Sequence, residues 1–311
     1  MRKILGSLIA VLALLATCSS CLAQGVQTGS VPDAIRHYEA LVSGASKDDG
    51  ATWWRLAIVY QNSARYRDSE HAYQKALHLL RTQQPAAIAD VMDDMGTMYL
   101  EEGRFGRAEQ LEHAALDLRQ ARNDQVGIGQ SWMHLAMVSL GEHHLVDALM
   151  FAELAVDRLV PERKDPAKHA SATPEQKMTA LTYLSHVLCE QGRFADAIPV
   201  LTTAREIAVA AYPSKSLPVA YVNFLLGRAH WKSGDLDSAA ELMTEGTHGM
   251  QAQLGWGHPT YLKAMKEYAT FLKQTHRLPE AAEAERTLAQ ARKASPESDA
   301  AQAQAMTVLP Q

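Results

Sequence analysis

Cysteine is nearly missing from this sequence: Cys18, Cys21 and Cys189 are all there is in 311 residues. Two of the three sit in the first 23 residues, so a chain that loses that segment keeps a single thiol. A disulfide framework is then excluded even in an oxidising compartment, and packing must hold the fold. Aromatics are only 6%, and alternating runs rich in Val, Ile and Thr are absent, which argues against a sheet. Basic excess is also lacking. Lys and Arg number 30 against 35 for Asp and Glu, a net charge of −5, so nothing draws the chain to a phosphate backbone and no nucleic-acid partner is expected. HExxH, EF-hand, GxSxG and phosphate-cradling glycine patterns do not occur, and the one CxxC, Cys18 to Cys21, lies within the first 23 residues. Neither catalysis, nor a cofactor, nor a metal site is expected from motifs of that kind.

What is present is helix-forming composition with 47% hydrophobic residues, enough to fill an all-helical core. The chain opens with Arg2 and Lys3, followed by the apolar run Ile4 to Thr17, too short to span a bilayer comfortably. It reads as a bacterial-type signal peptide, residues 1–23, with cleavage before Gln24. The rival reading is a lipobox at Leu15-Ala16-Thr17-Cys18, with Cys18 lipidated, and only then does a membrane enter. Either way the protein is expected in the periplasm, secreted, or lipid-anchored in the envelope. Losing Arg2 and Lys3 and no acid takes the net charge from −5 to −7.

One eight-residue phrase occurs almost twice: "EEGRFGRA" at Glu101 to Ala108 and "EQGRFADA" at Glu190 to Ala197. Four relaxed copies follow the same rule of turn residue, large apolar, then small residue. Across all six copies the large apolar residues are Tyr66, Phe105, Leu145, Phe194, Leu236 and Leu278, spaced by 39, 40, 49, 42 and 42. A period near 40 marks a stacked repeat. Upstream of each phrase a large residue precedes a small one: Leu56-Ala57, Met95-Gly96, Leu135-Ala136, Leu184-Ser185, Leu226-Gly227 and Tyr268-Ala269. Downstream a small residue recurs at Ala76, Ala115, Ala155, Ala204 and Gly246, with Leu288 the exception. Each unit is therefore predicted to be two helices joined by a short turn. The small residues admit close backbone approach, and the turn Gly supplies a positive φ that Ala64, His143 and His276 must supply elsewhere.

"WRLAIVY" (Trp54 to Tyr60), "DDMGTMY" (Asp93 to Tyr99), "NFLLGRAH" (Asn223 to His230) and "YRDSEHAYQKAL" (Tyr66 to Leu77) resemble the two helices of a tetratricopeptide repeat. The spacing exceeds that family's usual ~34 residues. With "GHPTYLKAMKEYATFL" (Gly257 to Leu272), it is similar to the kinesin-light-chain-like branch. The resemblance implies an all-α, right-handed α-solenoid of about six helix-turn-helix units at 50–88, 89–128, 129–177, 178–219, 220–261 and 262–295. A linker and capping helix at 24–49 would precede it, and a flexible tail at 296–311 would follow. It also implies a protein or peptide partner held on a face lined by the first helices. In the family's inward register that face comprises Trp54, Ile58, Asp93, Met133, Met137, His186, Tyr221, Phe224, Arg228, Trp231, Lys263 and Lys266.

The face would run from acidic to methionine-lined to aromatic and basic, suiting a partner that is acidic where it meets the last units. The aromatics could equally pack between repeats. A small-molecule or glycan binder or hydrolase in the central groove is the alternative from a different class. The pairs Asp93-Asp94 and Glu101-Glu102 are expected to be solvated surface, and Cys189 a small buried hydrophobe rather than a nucleophile. Adjacent His143-His144 and the widely spaced His71 and His78 do not make a chelate.

Overall fold

A computed structural model describes residues 31–165 and 170–294. The segment expected to be a signal peptide, with Cys18, Cys21 and Gln24, the expected tail, and part of the loop between Pro161 and Lys177 lie outside those residues. Among the described residues there are 13 α-helices and no strand. Helix α1 (Val31–Ser43) precedes six pairs. The pairs are α2 (Gly50–Asn62) with α3 (Tyr66–Gln83), α4 (Ile88–Glu101) with α5 (Phe105–Ala121), and α6 (Gln125–Gly141) with α7 (Leu145–Leu159). They continue with α8 (Pro174–Glu190) and α9 (Phe194–Ala211), α10 (Leu217–Ser233) and α11 (Leu236–Leu254), and α12 (Pro259–Gln274) and α13 (Leu278–Ala294). From α1 to α7 and from α9 to α13, each helix packs on the next, as expected of a solenoid. No described helix is long and apolar enough to cross a membrane.

The repeated phrase is the turn inside each pair. At its turn residue φ is positive in all six: Ala64, Gly103, His143, Gly192, Gly234 and His276. The backbone there closes in the same way each time. In the second pair the Gly103 N–H donates to Leu100 O at 3.0 Å and the Arg104 N–H to Tyr99 O at 2.8 Å. In the fourth, Gly192 donates to Cys189 O at 3.0 Å and Arg193 to Leu188 O at 2.9 Å. These are the two bonds that satisfy the last carbonyls of a helix ending in a left-handed residue. Three of the six turns reach that conformation without glycine.

Five residues after the turn residue, Ala108, Ala148, Ala197 and Ala239 are fully buried, as is Ser69, and Ala281 is nearly so. The small residues of the first helices are buried too. The tightest approach is between α10 and α11, where a Cβ at Gly246 would lie 2.7 Å from Phe224 N and 2.8 Å from Ala220 O. The large apolar residue of the phrase is half-buried in the first four units, but Leu236 and Leu278 are exposed, so it closes the junction only in the earlier copies.

The chain divides into two compact units, one through Tyr183 and one from Leu184. Tyr73, Leu80, Tyr99, Leu135 and Leu159 are buried at the centre of the first. Leu201, Met243, Tyr261 and Phe271 serve the second.

Candidate binding face

In the second unit, alternate helices α8, α10 and α12 bring His186, Arg228 and Lys263 together. Arg228 Nη1 lies 3.6 Å from Glu267 Oε2, the only ion pair it makes among the described residues. Lys263, one turn before Glu267 on α12, has a solvent-shielded Nζ without a hydrogen-bond partner. His186 Nδ1 is likewise buried and unpartnered. Burial first, then the charges of Arg228 and Lys263, push the His186 imidazole down to about 3, so it is neutral at physiological pH. Burial also lowers the Lys263 ammonium from its ordinary value, against the pull of Glu267. Tyr221 is pushed up to about 12, mainly by burial. The Cys189 thiol is raised, burial again leading, so it is not an activated nucleophile.

The aromatic residues take the packing option. Tyr221, Phe224 and Trp231 are buried, and Trp231 meets Phe271 edge to face at 5.7 Å between ring centres. What the face presents to solvent is charged: Arg228, Lys263 and Glu267 in part, Glu190 and Lys266 fully. Its chemistry is therefore cationic and carboxylate-accepting, with aromatics as its floor.

The first unit collects the opposite charge. Trp54 and Ile58 are half-buried on α2, and Trp54 Nε1 donates to Asp94 Oδ2 at 2.7 Å. Gln61 Nε2 donates to Glu101 Oε1 at 3.1 Å in the same manner, seven residues along both helices. Met133 and Met137 are buried in α6 and do not line an open surface. Asp93 is 5% exposed, and Arg119 of α5 grips both its oxygens, Nη1 to Oδ1 at 3.1 Å and Nη2 to Oδ2 at 2.6 Å. Arg119 also donates to Asp90 Oδ1 at 2.7 Å and to Ser131 Oγ at 2.7 Å. His134 Nδ1 lies 3.2 Å from Glu112 Oε2 and 3.6 Å from Asp93 Oδ1.

The expectation that Asp93-Asp94 and Glu101 are solvated surface is thus overturned. Adjacent helical residues point about 100° apart, so Asp93 enters the core while Asp94 turns toward α2. Burial works against the Asp93 carboxylate, but His134 and Arg119 outweigh it and hold it below the ordinary range. Burial pushes Asp94 and Glu101 up to about 7 each, against the hydrogen bonds from Trp54 and Gln61. Glu112 rises to about 8 for the same reason, with Asp93 adding to the effect and His134 opposing it. His134 is raised well above the ordinary imidazole value because Glu112 and Asp93 outweigh its burial.

Glu112, Arg119 and His134 are not among the residues the sequence singles out. The repeat itself carries the signal. Four residues after the small residue of the phrase stand Tyr73, Glu112, Ala152, Leu201, Met243 and Glu285; eleven after it stand Leu80, Arg119, Leu159, Ala208, Met250 and Arg292. The first, third, fourth and fifth units put apolar residues at both positions, and the second puts an ion pair's worth of charge there. The sixth carries charge as well, but it ends the array and its Glu285 is exposed. Aligning the units on their own turns therefore exposes the second as the one interior exception.

Residues 176–247 match the tetratricopeptide repeat family. No curated protein sequence matches the chain. Among solved structures it is similar to BtubC (BKLC) from P. vanneervenii, at 17% identity and a TM-score of 0.58, covering 75% of this chain and 95% of that one. It is also similar to a putative kinesin light chain of Podospora anserina with TPR-like repeats, at 14% identity and a TM-score of 0.50, over 70% and 97% of the two chains. A third likeness is to the APC/C hetero-tetramer Cut9-Hcn1, at 15% identity and a TM-score of 0.60, over 97% of this chain and 52% of that one. The fold is accordingly that of a tetratricopeptide-like helical solenoid.

Proposed function

We propose that this protein is a non-catalytic interaction module of the cell envelope, and that it holds an acidic segment of a protein partner on the α8–α10–α12 face. The observation that carries this reading is the net cationic character of that face. Arg228, Lys263 and Lys266 outnumber its carboxylates, Glu267 and Glu190, and the Lys263 ammonium and the His186 ring nitrogen have no hydrogen-bond partner. A carboxylate arriving from a partner would supply the missing acceptor. The tetratricopeptide match over residues 176–247 covers α8 and α10 of this face. The assembly of Cut9 with Hcn1 gives one instance of a similar fold in a protein complex. Export rests on the N-terminal segment, in which Arg2, Lys3 and the run to Thr17 read as a signal.

The test uses labelled extended peptides that differ only in carrying Glu, Gln or Lys at alternate positions. The Glu series is expected to bind at least tenfold tighter than the Gln series and to weaken as salt is raised. Lys263→Met should remove most of that preference while leaving the helical signal intact. Equal binding of the three series would overturn the acidic reading. The mass of the protein recovered from envelope fractions separates cleavage before Gln24 from lipidation at Cys18.

A further inference from the structure

Buried in the first unit, well apart from the cationic face in sequence, Asp93, Glu112 and His134 offer one ligand atom each from three successive helices, α4, α5 and α6. All three ligand atoms lie within 4.8 Å of one another. Two of the three edges are 3.2 Å, from His134 Nδ1 to Glu112 Oε2 (a hydrogen bond when no ion is bound), and 3.6 Å to Asp93 Oδ1. Donors about 2.0–2.2 Å from a tetrahedral ion stand roughly 3.3–3.6 Å apart. From this geometry we propose that Asp93, Glu112 and His134 form a binding site for a divalent transition ion of the zinc class.

Three further observations support the site. Glu112 is fully buried, and its second oxygen, Oε1, has no hydrogen-bond partner. A buried acceptor of that kind needs a cation or a proton. Gly96 makes the room: a Cβ there would overlap Glu112 Oε1. Arg119 then acts as the outer support that orients a ligand, fixing both Asp93 oxygens while itself held by Asp90 and Ser131. Charge also closes. Asp90, Asp93 and Glu112 against Arg119 leave two negative charges, which one divalent ion neutralises with His134 uncharged. The His134 side chain keeps 18% of its surface exposed, and this is the side from which an ion would enter. The spacing of 93, 112 and 134 matches no short metal motif, so the site exists only once the helices pack.

The test takes the full-length mature chain without an affinity tag, strips it with a chelator, and titrates it with zinc alone and with cobalt alone. One equivalent of zinc should bind per chain and raise the Tm of the first unit. Cobalt should give the intense visible absorption of a four-coordinate site. His134→Ala should lower affinity at least a hundredfold. Glu112→Gln, which keeps the shape of the side chain, should lower it at least tenfold and covers the case in which His134→Ala does not fold. His143→Ala with His144→Ala, at an exposed turn, should leave binding unchanged. Absence of stoichiometric zinc, a six-coordinate cobalt spectrum, or binding lost with His143 and His144 but kept in Glu112→Gln would each overturn the site.

Discussion

The two units are made from one repeat but bury opposite charge. In the first, α4–α6 enclose Asp93, Glu112, Arg119 and His134, and Asp94 and Glu101 are half-buried beside them. In the second, α8, α10 and α12 half-enclose Arg228 and Lys263 around a neutral His186. The first network is closed around Arg119, which meets Asp90, Asp93 and Ser131 within 3.1 Å, and leaves one oxygen, Glu112 Oε1, without a partner. The second is open: the Lys263 ammonium and the His186 ring nitrogen have no hydrogen-bond partner. A closed network stabilises its own fold or holds an ion, whereas an open one is finished by something from outside. The scaffold is neutral between those uses; the residues at a few equivalent positions decide.

The sharpest way to break the contrast is at the two arginines. Arg119→Leu leaves Asp93 and Asp90 without their cation, and Asp93 is a buried carboxylate. Removing one partner of such a network costs about 3–5 kcal/mol. The loss should appear as reduced hydrogen-exchange protection confined to peptides before Tyr183. The converse change sharpens the point. Asp93→Met with Glu112→Ala and Arg119→Leu installs the residues the third unit already uses, Met133, Ala152 and Leu159. It should recover most of the stability, since apolar replacement of a whole buried ion cluster is often neutral or favourable. Arg228→Met, by contrast, should leave protection of the second unit within about 1 kcal/mol of the parent, because its one ion pair is long and partly exposed.

Packing comes next in size. Gly246→Ala drives a methyl group against the backbone of Phe224 and Ala220. Overpacking of this kind costs about 1–3 kcal/mol, and here backbone must move, so the upper end is expected. The second unit should lose protection while the first keeps it.

Much of this was legible before any coordinates. The phrase "EQGRFADA" located every turn, and its small residue is buried in all six copies. That part is steric, and steric rules repeat. The buried charge was not legible in the same way. Helix α5 reads "FGRAEQLEHAALDLRQA", with polar residues on every side, so hydrophobic periodicity assigns Glu112 and Arg119 to no face. Asp93 and Asp94 look alike in sequence yet lie in different environments, because one helical step separates them. Tyr221, Phe224 and Trp231 fall on one side of α10 by their spacing, but spacing alone does not say whether a neighbouring helix covers them.

The contrast also predicts opposite responses to pH. Glu101 is raised to about 7 in the folded first unit, so it binds a proton there at a pH where the unfolded chain does not. Its penalty is present above pH 7 and disappears as pH falls toward the ordinary glutamate value. The first unit therefore gains stability on acidification, by about 1–3 kcal/mol. His186 is lowered to about 3, so below its ordinary value near 6.5 the unfolded chain takes up a proton that the folded second unit refuses. That unit loses stability as pH falls, by roughly 1.4 kcal/mol per pH unit. Hydrogen-exchange protection, corrected for intrinsic rates and followed between pH 8 and 5, should rise before Tyr183 and fall after Leu184. Glu101→Gln should lessen the slope of the first unit, part of which Asp94 and Glu112 supply, and His186→Gln should flatten that of the second. Parallel slopes in the two units would refute the opposition of buried charge.

The smallest effect lies at the turns, where the two units should behave alike. Gly192 and Gly234 have φ of 74° and 98° with open space around the missing Cβ, so alanine there meets only the backbone penalty. Gly192→Ala should cost about 1 kcal/mol. Ala64 and His276 already sit at φ of 55° and 59°, one in each unit. Ala64→Gly and His276→Gly should each relieve that strain and gain up to about 1 kcal/mol, less the added freedom of the unfolded chain. Equal gains in the two units, read from the same exchange experiment, would place the difference between them in the buried charges and not in the hinge that the repeat copies six times.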